Sequence, residues 1–181
     1  MTKNLPLPPI DELRKRLAYR SDGVLIWKRP GRGKAKPGNT AGYMRGRYLS
    51  LRFKNRDYRN HRIIWAMLKR EDPLSFQIDH INGNSKDNRI QNLRKATNQQ
   101  NSINRKHVKG FSFVKRSEKW EAAIRFNGRA KFLGYFDTEE QAREAYLRAK
   151  EKLHGEFMPT DMKHELGQID GPTSQLNFFD D

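Results

Sequence analysis

Residues 76–105 read FQIDHINGNSKDNRIQNLRKATNQQNSINR. An apolar approach, Phe76 and Ile78, leads to Asp79-His80, and Asn82-Gly83-Asn84 then makes a turn. A second short segment, RIQNL, ends near Asn92, and a helix begins near Thr97 and carries Asn101. The order is strand, loop, strand, helix, with one Asp, one His and two Asn as its polar keys. Neighbours on a regular strand point to opposite faces. Asp79 and His80 can therefore serve one site only if the strand ends or bends there, and the Asn-Gly turn that follows allows this.

The rest of the chain favours a polyanionic partner. Its 181 residues hold 37 Lys and Arg against 21 Asp and Glu, a net charge of +16. The cations are spread along the chain rather than gathered on one amphipathic helix, which favours nucleic acid over a membrane surface. There is no cysteine, so disulfides and Cys-ligated zinc are excluded. No apolar run is long enough to span a bilayer. The start, MTKNLPLPPI, has no signal-peptide core, and a cytoplasmic location is expected.

Upstream, Asp11–Tyr19 reads as a short helix with Ile10, Leu13 and Leu17 on one side. A turn at Ser21-Asp22-Gly23 leads to the strand VLIWK. Lys28–Lys36 is a Gly-rich loop with five cations, Arg29 and Arg32 among them, suited to lie along phosphates or to remain solvated. YLSLRF, residues 48–53, alternates as a half-buried strand, and HRIIWAML, residues 61–68, reads as a mostly buried helix.

Residues 109–158 form a second unit. FSFVK, KWEAAIRF and AKFLGYF are three strands, with an Asn127-Gly128 hairpin turn between the last two. Thr138 and Gln141 make a capping box for a helix that Gly155 ends. Trp120, Ala122, Ile124 and Phe126 share the face that packs on this helix. Arg125 lies on the other face as a base or phosphate contact, with Lys115, Arg116, Arg129, Lys131 and Phe132 as further DNA-contacting candidates. Residues 159–181 read as an acidic flexible tail: no Lys or Arg follows Lys163, and four acidic residues do.

The ordered set His61-Arg62, Asp79-His80-Ile-Asn-Gly-Asn, Asp87-Asn88-Arg89-Ile-Gln-Asn92-Leu and Asn98-Gln-Gln-Asn101 resembles the HNH nuclease family, especially its phage and intron-encoded homing endonucleases. The resemblance implies a ββα-metal fold over 61–105. It also implies a site-specific endonuclease that acts on double-stranded DNA with one Mg²⁺ or Mn²⁺. The Asp79 carboxylate and Asn101 amide oxygen are hard ligands for such an ion. His80 takes a proton from the attacking water. Asn92 ties the loop and orients His80, while His61 and Arg62 are possible supports. Asp79 stands where many relatives have the first His of the motif. One visible constellation implies a monomer that nicks one strand, and the competing class is a non-catalytic DNA-binding regulator.

The C-terminal unit, through Gly110-Phe-Ser-Phe, Lys119-Trp120-Glu-Ala-Ala-Ile-Arg125, Lys131-Phe-Leu133-Gly134-Tyr-Phe136 and Ala142-Arg-Glu-Ala-Tyr146, resembles the APETALA/ethylene-response-factor type of DNA-binding domain. That implies a sheet entering the major groove. Gln175, Leu176, Phe178 and Phe179 resemble the short motif by which bacterial proteins bind the replication sliding clamp; packing back on its own domain is the alternative. The expected class is thus α+β: a ββα-metal nuclease domain, then a small three-stranded antiparallel sheet packed on one helix. Residues 1–60 are expected as a separate DNA-contacting region.

Overall fold

A computed structural model describes residues 6–31, 33, 35–104 and 109–169. Arg32 and the four residues of the clamp-like motif lie outside these. The chain divides into two units, residues 1–101 and 102–181.

In the first unit helix α1 (Ile10–Arg16) runs into strand β1 (Leu17–Tyr19), which pairs antiparallel with β2 (Leu25–Trp27). The helix read over Asp11–Tyr19 is thus three residues too long. Leu17 and its neighbours find a ladder partner in the LIW segment across the Asp22-Gly23 turn, and tertiary pairing overrides local propensity. Gly23 has φ +90°, and a Cβ there would lie 2.6 Å from the Arg89 nitrogen. This turn therefore backs directly onto the loop that follows Asp79-His80.

Strands β3 (Tyr43–Arg45), β4 (Tyr48–Phe53) and β5 (Arg56–Arg59) form an antiparallel sheet, ordered β3-β4-β5. Only β4 was legible as a strand; its two neighbours are short and rich in charge. Helix α2 (Asn60–Lys69) follows, then β6 (Gln77–His80) paired antiparallel with β7 (Leu93–Ala96), then α3 (Asn98–Ile103). Leu13, Leu17, Leu25, Leu51, Phe53, Ile63, Ile64, Ile78 and Leu93 belong to one buried cluster. Leu13, Leu17, Leu25, Leu51 and Phe53, from the stretch 1–60 expected as a region of its own, thus share a core with α2 and the β6–β7 hairpin. Phe76, expected as part of an apolar approach, is exposed with the Lys95 ammonium 4.8 Å over its ring.

The second unit has β8 (Phe111–Val114), β9 (Lys119–Phe126) and β10 (Arg129–Phe136) in the order β10-β9-β8, with α4 (Glu139–His154) packed on the sheet. Thr138 and Gln141 make the expected capping box, and Asn127 and Gly128 both take positive φ at the hairpin turn. A register shift lies between Phe132 and Gly134; Leu133 is buried in the core and Phe132 is exposed.

Residues Thr160–Gly167, expected as part of a flexible acidic tail, form a further helix, α5. Met162 and Leu166, one turn apart, are buried in the same core as α4, and Glu165 pairs with Arg143 at 2.7 Å. Two apolar residues at i and i+4 decide this segment, against the sign of its charge.

Lys150 on α4 is 2 % exposed. Its Nζ lies 3.3 Å from the Met162 sulfur and 5.5 Å over the Tyr146 ring. Burial pulls its pKa from 10.5 down to about 8. Below about 8 the ammonium is charged in both folded and unfolded chains, so its full burial cost is present. Through the window from about 8 to 10.5 the unfolded chain holds more protons, and stability rises with pH. The effect should be about 1–3 kcal/mol. Lys150→Met should raise Tm at pH 7 and flatten the rise seen between pH 7 and 10 in thermal melts. An unchanged pH dependence would exclude this group as its source.

Candidate active site around His80

The Asn-rich loop after β6 is held by its own side chains. Asn82 Oδ1 accepts from the Asn84 amide at 2.9 Å and from Asn92 Nδ2 at 3.0 Å. The Asn82 amide donates to Asn92 Oδ1 at 3.0 Å, and Asn92 Nδ2 also donates to the Asp87 carbonyl at 2.8 Å. Asp87 accepts from Asn82 Nδ2 and pairs with Arg89 at 2.6 Å, which holds its carboxyl down to about 2. Side chains that bond nearby backbone favour tight turns over regular structure, which is why this stretch is rich in Asn and Asp. Asn92 is therefore the tie that closes the loop.

The residue this loop delivers to His80 is Asn88. Asn88 is 1 % exposed, and its Oδ1 lies 2.9 Å from His80 Nε2. An amide oxygen can only accept, so Nε2 carries the proton and Nδ1 is the basic nitrogen of the ring. Asn92 was expected both to tie the loop and to orient His80; its hydrogen bonds close the loop, and the side chain bonded to the ring is Asn88. The clue was the Asp87-Asn88 pair, one Asn among many.

Two further rings pack on His80 or on each other, from elements far away in sequence. His61 on α2 meets His80 edge-on, with ring centroids 4.9 Å apart. Tyr48 on β4 stacks on His80 at 6.3 Å and meets His61 at 5.3 Å. Both histidines are buried. Burial holds His61 well below the usual imidazole range, reinforced by repulsion from His80, Arg59 and Arg62. Burial also lowers His80, offset in part by its bond to Asn88 and by the Asp79 and Asp87 carboxylates. The His80 ring is accordingly neutral at neutral pH. Tyr48 was not singled out from sequence.

Asp79 and His80 are the last two residues of β6, which ends there at the turn that carries Asn82 and Gly83. Asp79 is buried and pairs with its cross-strand neighbour Arg94 at 2.9 Å. Gln77 stands on the same face of β6 as Asp79. Its Oε1 accepts from Asn101 Nδ2, and its Nε2 donates to Asn98 Oδ1 at 2.6 Å. Helix α3 thus reaches β6 through Gln77, and Asn88, His61 and Tyr48 gather around the His80 ring. Arg62 is 5 % exposed and donates to the Leu74 and Phe76 carbonyls, so it fixes the segment that leads into β6. Arg29 lies in an exposed stretch of the Lys28–Lys36 loop.

In the second unit, register sorts the DNA-contacting candidates. Arg125 and Phe132 lie on the outer face of the sheet, both exposed. Lys131 pairs with Ile124 and Arg129 with Phe126, which places both on the helix-facing side despite their exposure. Lys115 and Arg116 sit in the exposed β8–β9 turn.

A family model described as HNH endonuclease matches residues 52–103. Escherichia phage T7 Protein 3.8 is 31 % identical over 106 residues, 55 % of this chain and 87 % of that one. Residues 52–103 belong to the HNH endonuclease family. An uncharacterized HNH endonuclease of Acanthamoeba polyphaga mimivirus is 34 % identical over 100 residues, and this HNH chain spans about half of its length, 54 %. No solved structure matches. The family match begins in β4 and ends in α3, so it takes in Asp79, His80, Asn88, Asn92 and Asn101. Residues 109–158, expected to resemble the APETALA/ethylene-response-factor domain, lie outside the family match. Among the described residues, no helix is long and apolar enough to cross a membrane.

Proposed function

We propose that this HNH chain is a metal-dependent, site-specific DNA endonuclease of the homing type that cuts one strand at a time as a monomer. The observation that carries this reading is the His80 ring: buried, neutral, and bonded through Nε2 to Asn88 so that Nδ1 is basic. In the reaction water attacks phosphorus, His80 Nδ1 takes the water proton, and the bond to the 3′ oxygen breaks. Asn88 fixes the tautomer, and Tyr48 and His61 hold the ring against rotation.

Among the described residues no group of three or more His, Cys, Asp and Glu could hold a metal. The donors at hand fit a different kind of site. Asp79 offers a carboxylate, and Asn101, on the helix that reaches β6 through Gln77, offers an amide oxygen. Two hard oxygen ligands with the rest from water and phosphate suit Mg²⁺ or Mn²⁺. A bound ion would neutralise the phosphate and the leaving oxygen. In this reading β6, β7 and α3 form the ββα-metal unit.

Target choice is assigned to the second unit, on the exposed cations of its sheet and its turns. Arg125 and Phe132 are its outward contacts to DNA. Incubated with Mg²⁺ and supercoiled DNA that carries candidate sites, the protein should accumulate nicked circle before linear product. Simultaneous linear product would reject single-strand cutting, and no product from any DNA would reject the nuclease reading.

A further inference from the structure

The Tyr48 ring that packs on His80 carries two guanidinium groups. Arg59 Cζ lies 4.3 Å and Arg47 Cζ 5.4 Å from its centroid. Both arginines are exposed. Neither has an acidic partner among the described residues. Their neighbours on the same sheet differ: Arg45 and Arg52 both pair with Asp57. Two like charges held near one ring repel each other, and among the described residues no carboxylate pairs with either to offset that repulsion. The position is nevertheless tied down. The Arg47 carbonyl accepts from Ser85 Oγ at 2.6 Å, which fastens the β3–β4 turn to the loop that carries Asn88. An unneutralised cation pair, stacked on a ring that touches the base, is arranged for an anion.

We propose that Arg47 and Arg59, mounted on Tyr48, form a clamp for a DNA phosphate beside His80. The proposal rests on the DNA-nuclease reading. The clamp seats the backbone of the strand being cut, so that the phosphate at His80 is positioned by side chains of the β3–β4–β5 sheet and not by the second unit alone. Arg56, also exposed but alternating to the opposite face of β5, is the internal control.

The test is fluorescence anisotropy with a labelled duplex across a salt series, in EDTA so that binding is read without cutting. Arg47→Gln and Arg59→Gln should each weaken binding about five- to tenfold and lower the slope of log K against log salt by about 0.9 per lost phosphate contact. Arg56→Gln should stay within about twofold. Lysine at 47 or 59 should restore most of the slope, which separates loss of charge from loss of fold. If the Arg47 and Arg59 variants match Arg56→Gln while the wild type still cuts, the clamp is wrong and the nuclease reading stands. If they weaken binding as stated but the wild type cuts no DNA, the clamp stands as a phosphate site and the nuclease reading fails. A wild type that does not bind duplex overturns both.

Discussion

His80→Ala should lower single-turnover cleavage by about 10²–10⁴-fold, the range expected for loss of a positioned general base. DNA affinity in EDTA should change little, because His80 is 5 % exposed and contributes almost no surface. The loss should appear in kcat and not in KM, since the ring acts on the water proton and not on the bound phosphate. Asn88→Ala should reproduce part of this loss. It removes the acceptor at 2.9 Å that keeps the proton on Nε2, and so lets the ring take the tautomer with Nδ1 protonated. Thermal melts on both variants separate catalysis from folding. Small exogenous imidazole should restore some activity to His80→Ala and none to Asn88→Ala, because only the first leaves a hole of the right shape and chemistry.

Asp79→Ala should abolish metal-dependent cleavage, with a loss of at least about 10²-fold. The carboxylate is the only charged oxygen ligand assigned to the ion. In the absence of metal it is neutralised by Arg94, so the substitution also leaves a guanidinium that is 12 % exposed without its carboxylate. Burying an uncompensated charge is costly, and Asp79→Asn is the gentler form of the test. Mn²⁺ titration followed by water proton relaxation gives a readout that does not pass through activity: both variants should bind Mn²⁺ at least about tenfold more weakly than the wild type. Unaltered Mn²⁺ affinity would move the metal away from Asp79.

Much of the site was legible in the sequence because its chemistry is local. Asp79, His80, Asn92 and Asn101 lie within one short stretch, and Asn and Gly mark the turns that bring it round. The second unit was legible for a similar reason: the Asn127-Gly128 turn, the Thr138–Gln141 capping box and the alternation in KWEAAIRF each act over a few residues. What was not legible depends on pairing across long separations. Tyr48 and His61 reach His80 only because β4 and α2 share a core with Ile78 and Leu93. β3 and β5 are too short and too charged to read as strands without β4 between them. Leu17–Tyr19 looked helical because Leu13 and Leu17 are one turn apart, yet β2 was waiting as a ladder partner. The acidic character of the chain after Lys163 hid the Met162–Leu166 pair that makes α5 part of the second core.

The placement of Asn88 carries a general point about Asn-rich loops. Most of the amides in this one close hydrogen bonds on the loop itself, and one is left to hold the His80 ring. Composition alone does not distinguish that one from the rest; burial does, since Asn88 is 1 % exposed and Asn92 is 8 % exposed.

The most direct measurement is cleavage of supercoiled DNA by wild-type protein with Mg²⁺, then with EDTA, then with Mg²⁺ restored in excess. The account predicts nicked product with the ion, none in EDTA, and recovery on restoration. Equal cleavage in EDTA would contradict it.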